Sequence, residues 1–249
     1  MMTTGNIKST TDIRLPLSFI VFGLVAFVVA QIIIFWNSTS ILQGQFRIPE
    51  IWSAAHLLLL GFAMIVAMGA MYQLVPVVFL TSIWRLKLAY FPLLFSCSGV
   101  VIFAGLLAIS PTQSIYGAAI VVIGLCMFLL QMAITLRQTE KKSIMYALVL
   151  TALVMLLFTM AAGFLLAYSF ATKGIPFHES IFYTHILFGV AGWFSLLIFG
   201  FSYKLVPMFS LSHDYPTRYG KYAICSYSMG LLCVSVSFWI QIAYVQAIG

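Results

Sequence analysis

The sequence predicts an all-α integral membrane protein of seven transmembrane helices, and three observations support that prediction. Of the 249 residues, 63% are hydrophobic and 7% are charged, whereas soluble domains carry about 25% charged residues. Seven apolar runs are each long enough to cross the hydrocarbon core of a bilayer. The Lys and Arg residues also concentrate in alternate loops between these runs. A chain of this composition cannot cover a surface that faces water, so we expect it to lie in a lipid bilayer.

The seven runs use nearly the whole chain and therefore predict one transmembrane domain over residues 1–249. The first run follows a polar start and lacks a small-residue cleavage site after a short apolar core, which predicts a retained helix instead of a signal peptide. The second and sixth each follow an Ile-Pro pair, and proline suits a first helical turn. The third, fifth and seventh each follow a basic loop. The predicted helices lie near residues 14–36, 52–80, 88–109, 114–136, 144–170, 181–210 and 222–246.

The distribution of positive charge predicts the orientation of the helices. Loops on the cytoplasmic side of a membrane carry an excess of Lys and Arg. This rule predicts a cytoplasmic N-terminus, an external C-terminus and a multi-pass location in the cytoplasmic membrane. Because the formal charge of +7 arises from loop cations, it does not indicate a nucleic-acid partner. The cations on the predicted cytoplasmic side are Lys8, Arg14, Arg85, Lys87, Arg137, Lys141, Lys142, Arg218 and Lys221, against Arg47 and Lys173 outside.

A short motif occurs twice, as GAMYQLVP at 69–76 and as GFSYKLVP at 200–207. The offset of 131 residues also relates Gly61 to Gly192. With this spacing, helices one to three match helices five to seven in the same direction, and the fourth helix connects them. Such an arrangement is a parallel internal repeat about an axis along the membrane normal. The alternative is that the motif serves only helix packing, because glycine lets helices approach closely in lipid.

Each long repeat helix contains one histidine near its predicted outer end. His56 and His185 lie two residues short of the repeat offset. Either the sixth helix contains a local irregularity, or the two histidines have separate roles. An ionisable residue inside a membrane helix is costly and is a functional candidate, and neutral imidazole binds metal or heme iron. The alternative is a hydrogen bond from each histidine to a neighbouring helix.

Heme fits these histidines better than a bare metal ion, because a tetrahedral zinc or copper site needs three or four ligands. Besides His56 and His185, the chain has only His178 and His213. We expect His213 at the opposite face. His178 can be a propionate contact, a partner of a ligand, an external copper ligand or a solvated residue. Glycines would let a flat macrocycle lie against a helix, and two tryptophans are near in sequence; these candidates are Gly61, Gly189, Gly192, Trp52 and Trp193.

The segments HLLLLGFAMIVAMGAMYQLVP from His56 and HILFGVAGWFSLLIFGFSYKLVPMF from His185 resemble helices of the heme-copper oxidase subunit I superfamily. They look closest to its small subunit-I-like relatives and to NnrS-type heme proteins linked to nitric oxide stress. The resemblance covers two helices. It implies a heme b between the helices, with His56 and His185 as candidate iron ligands.

The chain also departs from that superfamily. A full oxidase needs more histidines than the four present here, so the oxygen-reducing binuclear centre cannot form. No Asp or Glu lies in the middle of a predicted span. The resemblance therefore implies a heme protein for electron transfer or a nitric oxide role, with a respiratory-chain redox partner or an oligomer as possible assemblies. The alternative is an assembly, sensing or heme- or copper-handling subunit of a respiratory oxidase. Two histidine ligands predict six-coordinate iron, and one predicts five-coordinate iron.

Overall fold

The computed structural model describes residues 12–140, 142–172, 174–212 and 217–240, with side chains from residue 219 in the last range. In these ranges the chain forms seven helices that are long and apolar enough to cross a membrane, and no strand. The predicted seven-helix all-α class is confirmed. Lys8, Lys141, Lys173, His213, the Arg218 side chain and positions 241–246 of the predicted last helix lie outside this description. The helices are α1 (Arg14–Trp36), α2 (Pro49–Phe79), α3 (Tyr90–Ile109), α4 (Ser114–Arg137), α5 (Ile144–Thr172), α6 (His178–Ser210) and α7 (Thr217–Ile240).

Helices α2 and α6 each begin three residues before the apolar run that predicted them. Pro49 occupies the first turn of α2, where its missing N–H would have no helical partner. Glu50 and Glu179 lie in the first turns of the two helices, and a negative charge there interacts favourably with the helix dipole. The polar residues before each apolar run therefore belong to the helices, although hydrophobicity alone does not predict that they are helical.

Both long helices contain an eight-residue π-helical segment, which begins one residue after His56 in α2 and two residues after His185 in α6. These segments are Leu57–Met64 in α2 and Leu187–Phe194 in α6. Short π-helical stretches are frequent at functional sites. The local irregularity considered for the sixth helix is therefore present in both helices and does not account for the two-residue difference between them. The parallel repeat and the membrane orientation remain predictions.

The helices pack mainly with their neighbours in sequence. Helix α1 lies along α2, α3 along α4, and α5 along both α4 and α6. The closest helix pair is α3 and α4, where a Cβ added at Gly117 would lie 2.4 Å from Phe103 Cα. The C-terminal halves of α2 and α6, Ile65–Phe79 and Ser195–Ser210, contact one another. Near the opposite end, α2, α3, α5 and α6 surround a space that contains His56 and His185.

A buried polar network connects α2 to α4. The Tyr72 hydroxyl donates to Gln131 Oε1 at 2.8 Å, and Gln131 Nε2 donates to the Trp84 carbonyl oxygen at 2.9 Å. The Trp84 backbone N–H donates to Thr135 Oγ1 at 3.0 Å. Because lipid offers no hydrogen bonds to replace these, the network fixes α2 relative to α4 and to the connection before α3.

Candidate functional site

His56 ends the first α-helical part of α2 and is oriented by its own helix. Its Nδ1 donates to the Trp52 carbonyl oxygen at 2.7 Å. The Phe103 ring on α3 packs edge-on against the imidazole, with 5.1 Å between ring centroids. A carbonyl can only accept, so the proton of the neutral imidazole is on Nδ1. The lone pair of His56 is therefore on Nε2.

His185 is oriented by a different helix. Its Nδ1 donates to the Thr159 carbonyl oxygen of α5 at 2.9 Å. Gly163, four residues later on α5, makes this approach possible: a Cβ there would lie 2.8 Å from His185 Cε1 and 3.2 Å from Nδ1. As with His56, the proton is on Nδ1 and the lone pair is on Nε2.

The two imidazoles are neighbours in the same cavity. Their ring centroids are 6.3 Å apart and their planes differ by 25°. Among the described residues, neither Nε2 atom forms a hydrogen bond. A histidine that binds a metal typically donates its other ring N–H to a carbonyl or carboxylate, and both histidines make such a bond. The site thus offers two neutral nitrogen ligands held by separate helices.

The cavity beside the two histidines has a volume of about 110 Å³. Its walls are mostly aromatic and aliphatic, and two of the lining rings, Trp52 and Phe170, stack on one another with centroids 5.3 Å apart. A larger cavity of about 890 Å³ lies between α6 and α7, and no histidine or charged residue is among the described residues that line it. The smaller cavity is the candidate site because it contains the histidines.

The mouth of this cavity carries an ion pair. The two terminal guanidinium nitrogens of Arg47, Nη1 and Nη2, donate to the Glu179 carboxylate at 3.1 and 3.2 Å. The hydrogen bond with Glu179 raises the pKa of Arg47. His178 also lines the cavity and is paired with Ser169, with 3.1 Å between His178 Nδ1 and the Ser169 oxygen. No group of three or more potential metal ligands occurs in the part of the chain that the structure describes.

The structure brings together some of the residues singled out from the sequence and separates others. Trp52 lines the cavity with the two histidines. Trp193 is fully buried elsewhere, outside the cavity wall. The three glycines lie at helix contacts: an added Cβ would meet Ala26 and Val100 at Gly61, Thr159 at Gly189, and Met155 at Gly192.

Sequence reasoning missed Gly163, Phe103 and the Arg47–Glu179 pair. Gly163 and Phe103 are on helices that carry no motif, so nothing in the sequence relates them to the histidines. Arg47 and Glu179 are 132 residues apart. One signal was available in the sequence. Glu179 lies at the start of a repeat helix on the predicted outer side, and Arg47 is one of only two cations assigned to that side.

Comparison of the chain with models of known protein families, with curated proteins and with solved structures finds no match. The resemblance to heme-copper oxidase helices therefore depends only on the residues quoted from α2 and α6.

Proposed function

We propose that the protein binds one heme b between His56 and His185 and serves one-electron transfer in a membrane. The observation that carries this proposal is the pair of neighbouring imidazoles 6.3 Å apart, each with its Nδ1 proton donated to a backbone carbonyl. Both side chains are held in the tautomer that leaves Nε2 as a ligand atom. Lipid-exposed or buried polar groups without a partner are costly, which favours a ligand between them.

The ring separation suits two imidazoles on one iron. With each nitrogen about 2 Å from the metal and each ring centre about 1 Å further, the centroids would be roughly 6 Å apart. The centroids are 6.3 Å apart. This spacing is too long for a direct hydrogen bond between the two rings, so a bridging group such as a metal ion is needed to join them. This agreement favours the six-coordinate alternative over the five-coordinate one.

The surrounding side chains would perform three tasks. His56 and His185 would bind the iron through Nε2, while the carbonyl oxygens of Trp52 and Thr159 hold the rings in orientation. Phe103 and Phe170 would exclude water. When bound, heme supplies one-electron redox chemistry whose potential depends on axial ligands and burial. If His56 and His185 both bind the iron, a nitric oxide role would require one of them to leave.

The size of the cavity adds a condition to this proposal. Its 110 Å³ is below the roughly 300 Å³ of small ligand pockets. A macrocycle would require the aromatic walls to turn outward. Trp52 and Phe170, which line the space and stack on one another, are among the rings that would have to move.

An absorption spectrum tests the proposal. Protein purified from heme-replete cells should show a Soret band, and split α and β bands on reduction. His56→Ala and His185→Ala should each give a high-spin spectrum or lose heme. The matched control is His178→Ala, which removes a histidine of the same cavity that forms no three-ligand group with the pair. Absence of heme from the unmutated protein would refute the proposal.

Carbon monoxide separates the two coordination states. The reduced unmutated protein should convert slowly or incompletely to a carbonyl spectrum, because His56 and His185 would both bind the iron. Reduced His56→Ala and His185→Ala should convert fast. Fast, complete conversion of the unmutated protein would show a five-coordinate iron and would remove one histidine from the ligand set.

The small cavity volume supports a second candidate function, copper handling for a respiratory oxidase. A single copper ion bound by two imidazoles needs no movement of the aromatic walls, and imidazole is a suitable copper ligand. Metal analysis distinguishes the candidates. About one copper per chain with no Soret band, lost in His56→Ala and His185→Ala, would establish copper; iron with a Soret band would exclude it.

A further inference from the structure

We propose that Arg47 binds a carboxylate group of the heme and that Glu179 is an internal competitor for the same guanidinium. This inference depends on the proposed function, because it assigns residues to one edge of that ligand. Heme b carries two propionate carboxylates on a single edge. The cavity that contains the histidine rings leads to Arg47 and Glu179 at its mouth, so this edge would face them.

The geometry of the ion pair is the geometry that a ligand carboxylate would adopt. Two guanidinium nitrogens contact the two carboxylate oxygens of Glu179, at 3.1 and 3.2 Å. Arginine presents a planar fork of donors that matches a carboxylate in this bidentate arrangement. A propionate carboxylate can make the same bidentate contact with Arg47.

The pair is also weak enough to exchange. The side chains are 63% and 54% exposed, and exposed ion pairs contribute little because water screens them. Phe182 lies under the guanidinium, with 5.6 Å from Cζ to the ring centroid. This cation–π contact can hold Arg47 at the mouth while its carboxylate partner changes. Arg47 is the only Lys or Arg among the described residues that line the cavity.

The two charges should act on the ligand in opposite directions. Arg47 would attract the propionates, whereas Glu179 would repel them and compete for Arg47. Removing the Glu179 charge should therefore strengthen heme binding, and removing the Arg47 charge should weaken it. A role of this pair in joining α6 to the segment before α2 would instead make both changes act in the same direction.

The test compares heme with heme dimethyl ester, whose carboxylates are neutral, on the full-length apoprotein in detergent. The unmutated protein should bind heme roughly five- to tenfold more tightly than the ester. Arg47→Gln should remove this preference. Glu179→Gln should raise heme affinity roughly threefold and leave ester affinity unchanged. Arg47→Lys keeps the charge without the fork and should give an intermediate preference.

The outcomes separate this inference from the proposed function. If Arg47→Gln kept the same preference for heme over the ester as the unmutated protein, the inference alone would be overturned. Weaker heme binding in Glu179→Gln would also overturn it. If the unmutated protein bound neither compound, the proposed function would fail and the inference with it. If Arg47→Gln does not fold, the other two variants still test the inference. Arg47→Lys should lower heme affinity, whereas Glu179→Gln should raise it.

Discussion

Replacing Gly163 with alanine tests whether the orientation of His185 controls heme binding. The added Cβ would lie 2.8 Å from His185 Cε1, whereas ordinary contacts begin near 3.4 Å. The ring must therefore retreat by about 0.6 Å, which stretches its 2.9 Å hydrogen bond to the Thr159 carbonyl towards the limit of hydrogen bonding. Overpacking costs about 1–3 kcal/mol and a lost hydrogen bond about 0.5–1.5 kcal/mol.

We expect Gly163→Ala to weaken heme binding by about 2 kcal/mol, or roughly thirtyfold. Loss of a group that orients a metal ligand typically costs 10- to 100-fold in affinity, which agrees with this value. The substitution also improves helix propensity by about 1 kcal/mol, so the fold itself should remain stable. The assay is titration of the apoprotein with heme, followed by the Soret band, with thermal unfolding measured in parallel.

The matched control is Gly105→Ala, also in a membrane helix, where an added Cβ meets nothing within 4 Å. It should leave heme affinity unchanged. A Gly163→Ala protein with unchanged affinity and the same low-spin spectrum would refute the reasoning, because His185 would then not need the Thr159 carbonyl. Equal losses in both variants would show that the effect is not specific to His185.

Further substitutions test the packing and the network that hold the site. Tyr72→Phe removes the donor to buried Gln131 and should lower the free energy of unfolding by about 1–3 kcal/mol; an unchanged thermal midpoint would contradict a structural role for this bond. Gly117→Ala places a Cβ 2.4 Å from Phe103 Cα and should separate α3 from α4, so that the thermal midpoint falls well below that of Gly105→Ala. A midpoint equal to that of the control would contradict the close packing. Thr159→Val removes a hydroxyl that bonds only within α5 and keeps the carbonyl that accepts from His185, so heme affinity should be nearly unchanged.

Local composition made the fold class predictable from the sequence. Long apolar runs must form helices in lipid, because every backbone polar group there needs a partner within the chain. The seven spans, and the two histidines as an unusual feature inside them, could therefore be recognised without any knowledge of contacts. The exact starts of α2 and α6 could not, because Glu50 and Glu179 belong to the helices through backbone geometry and the helix dipole, and not through hydrophobicity.

Only the tertiary structure decided which residues surround the histidines. Sequence spacing suggested a path of glycines beside His56 and His185, but Gly61 and Gly192 fill contacts with other helices, and the glycine that faces His185 is Gly163 on α5. The physical reason is that a glycine is required wherever two helices approach closely, and its own helix does not show which neighbour is involved. The pairing of Arg47 with Glu179 likewise arises because two distant segments end at the same mouth. Periodicity within one helix cannot predict contacts that form between helices.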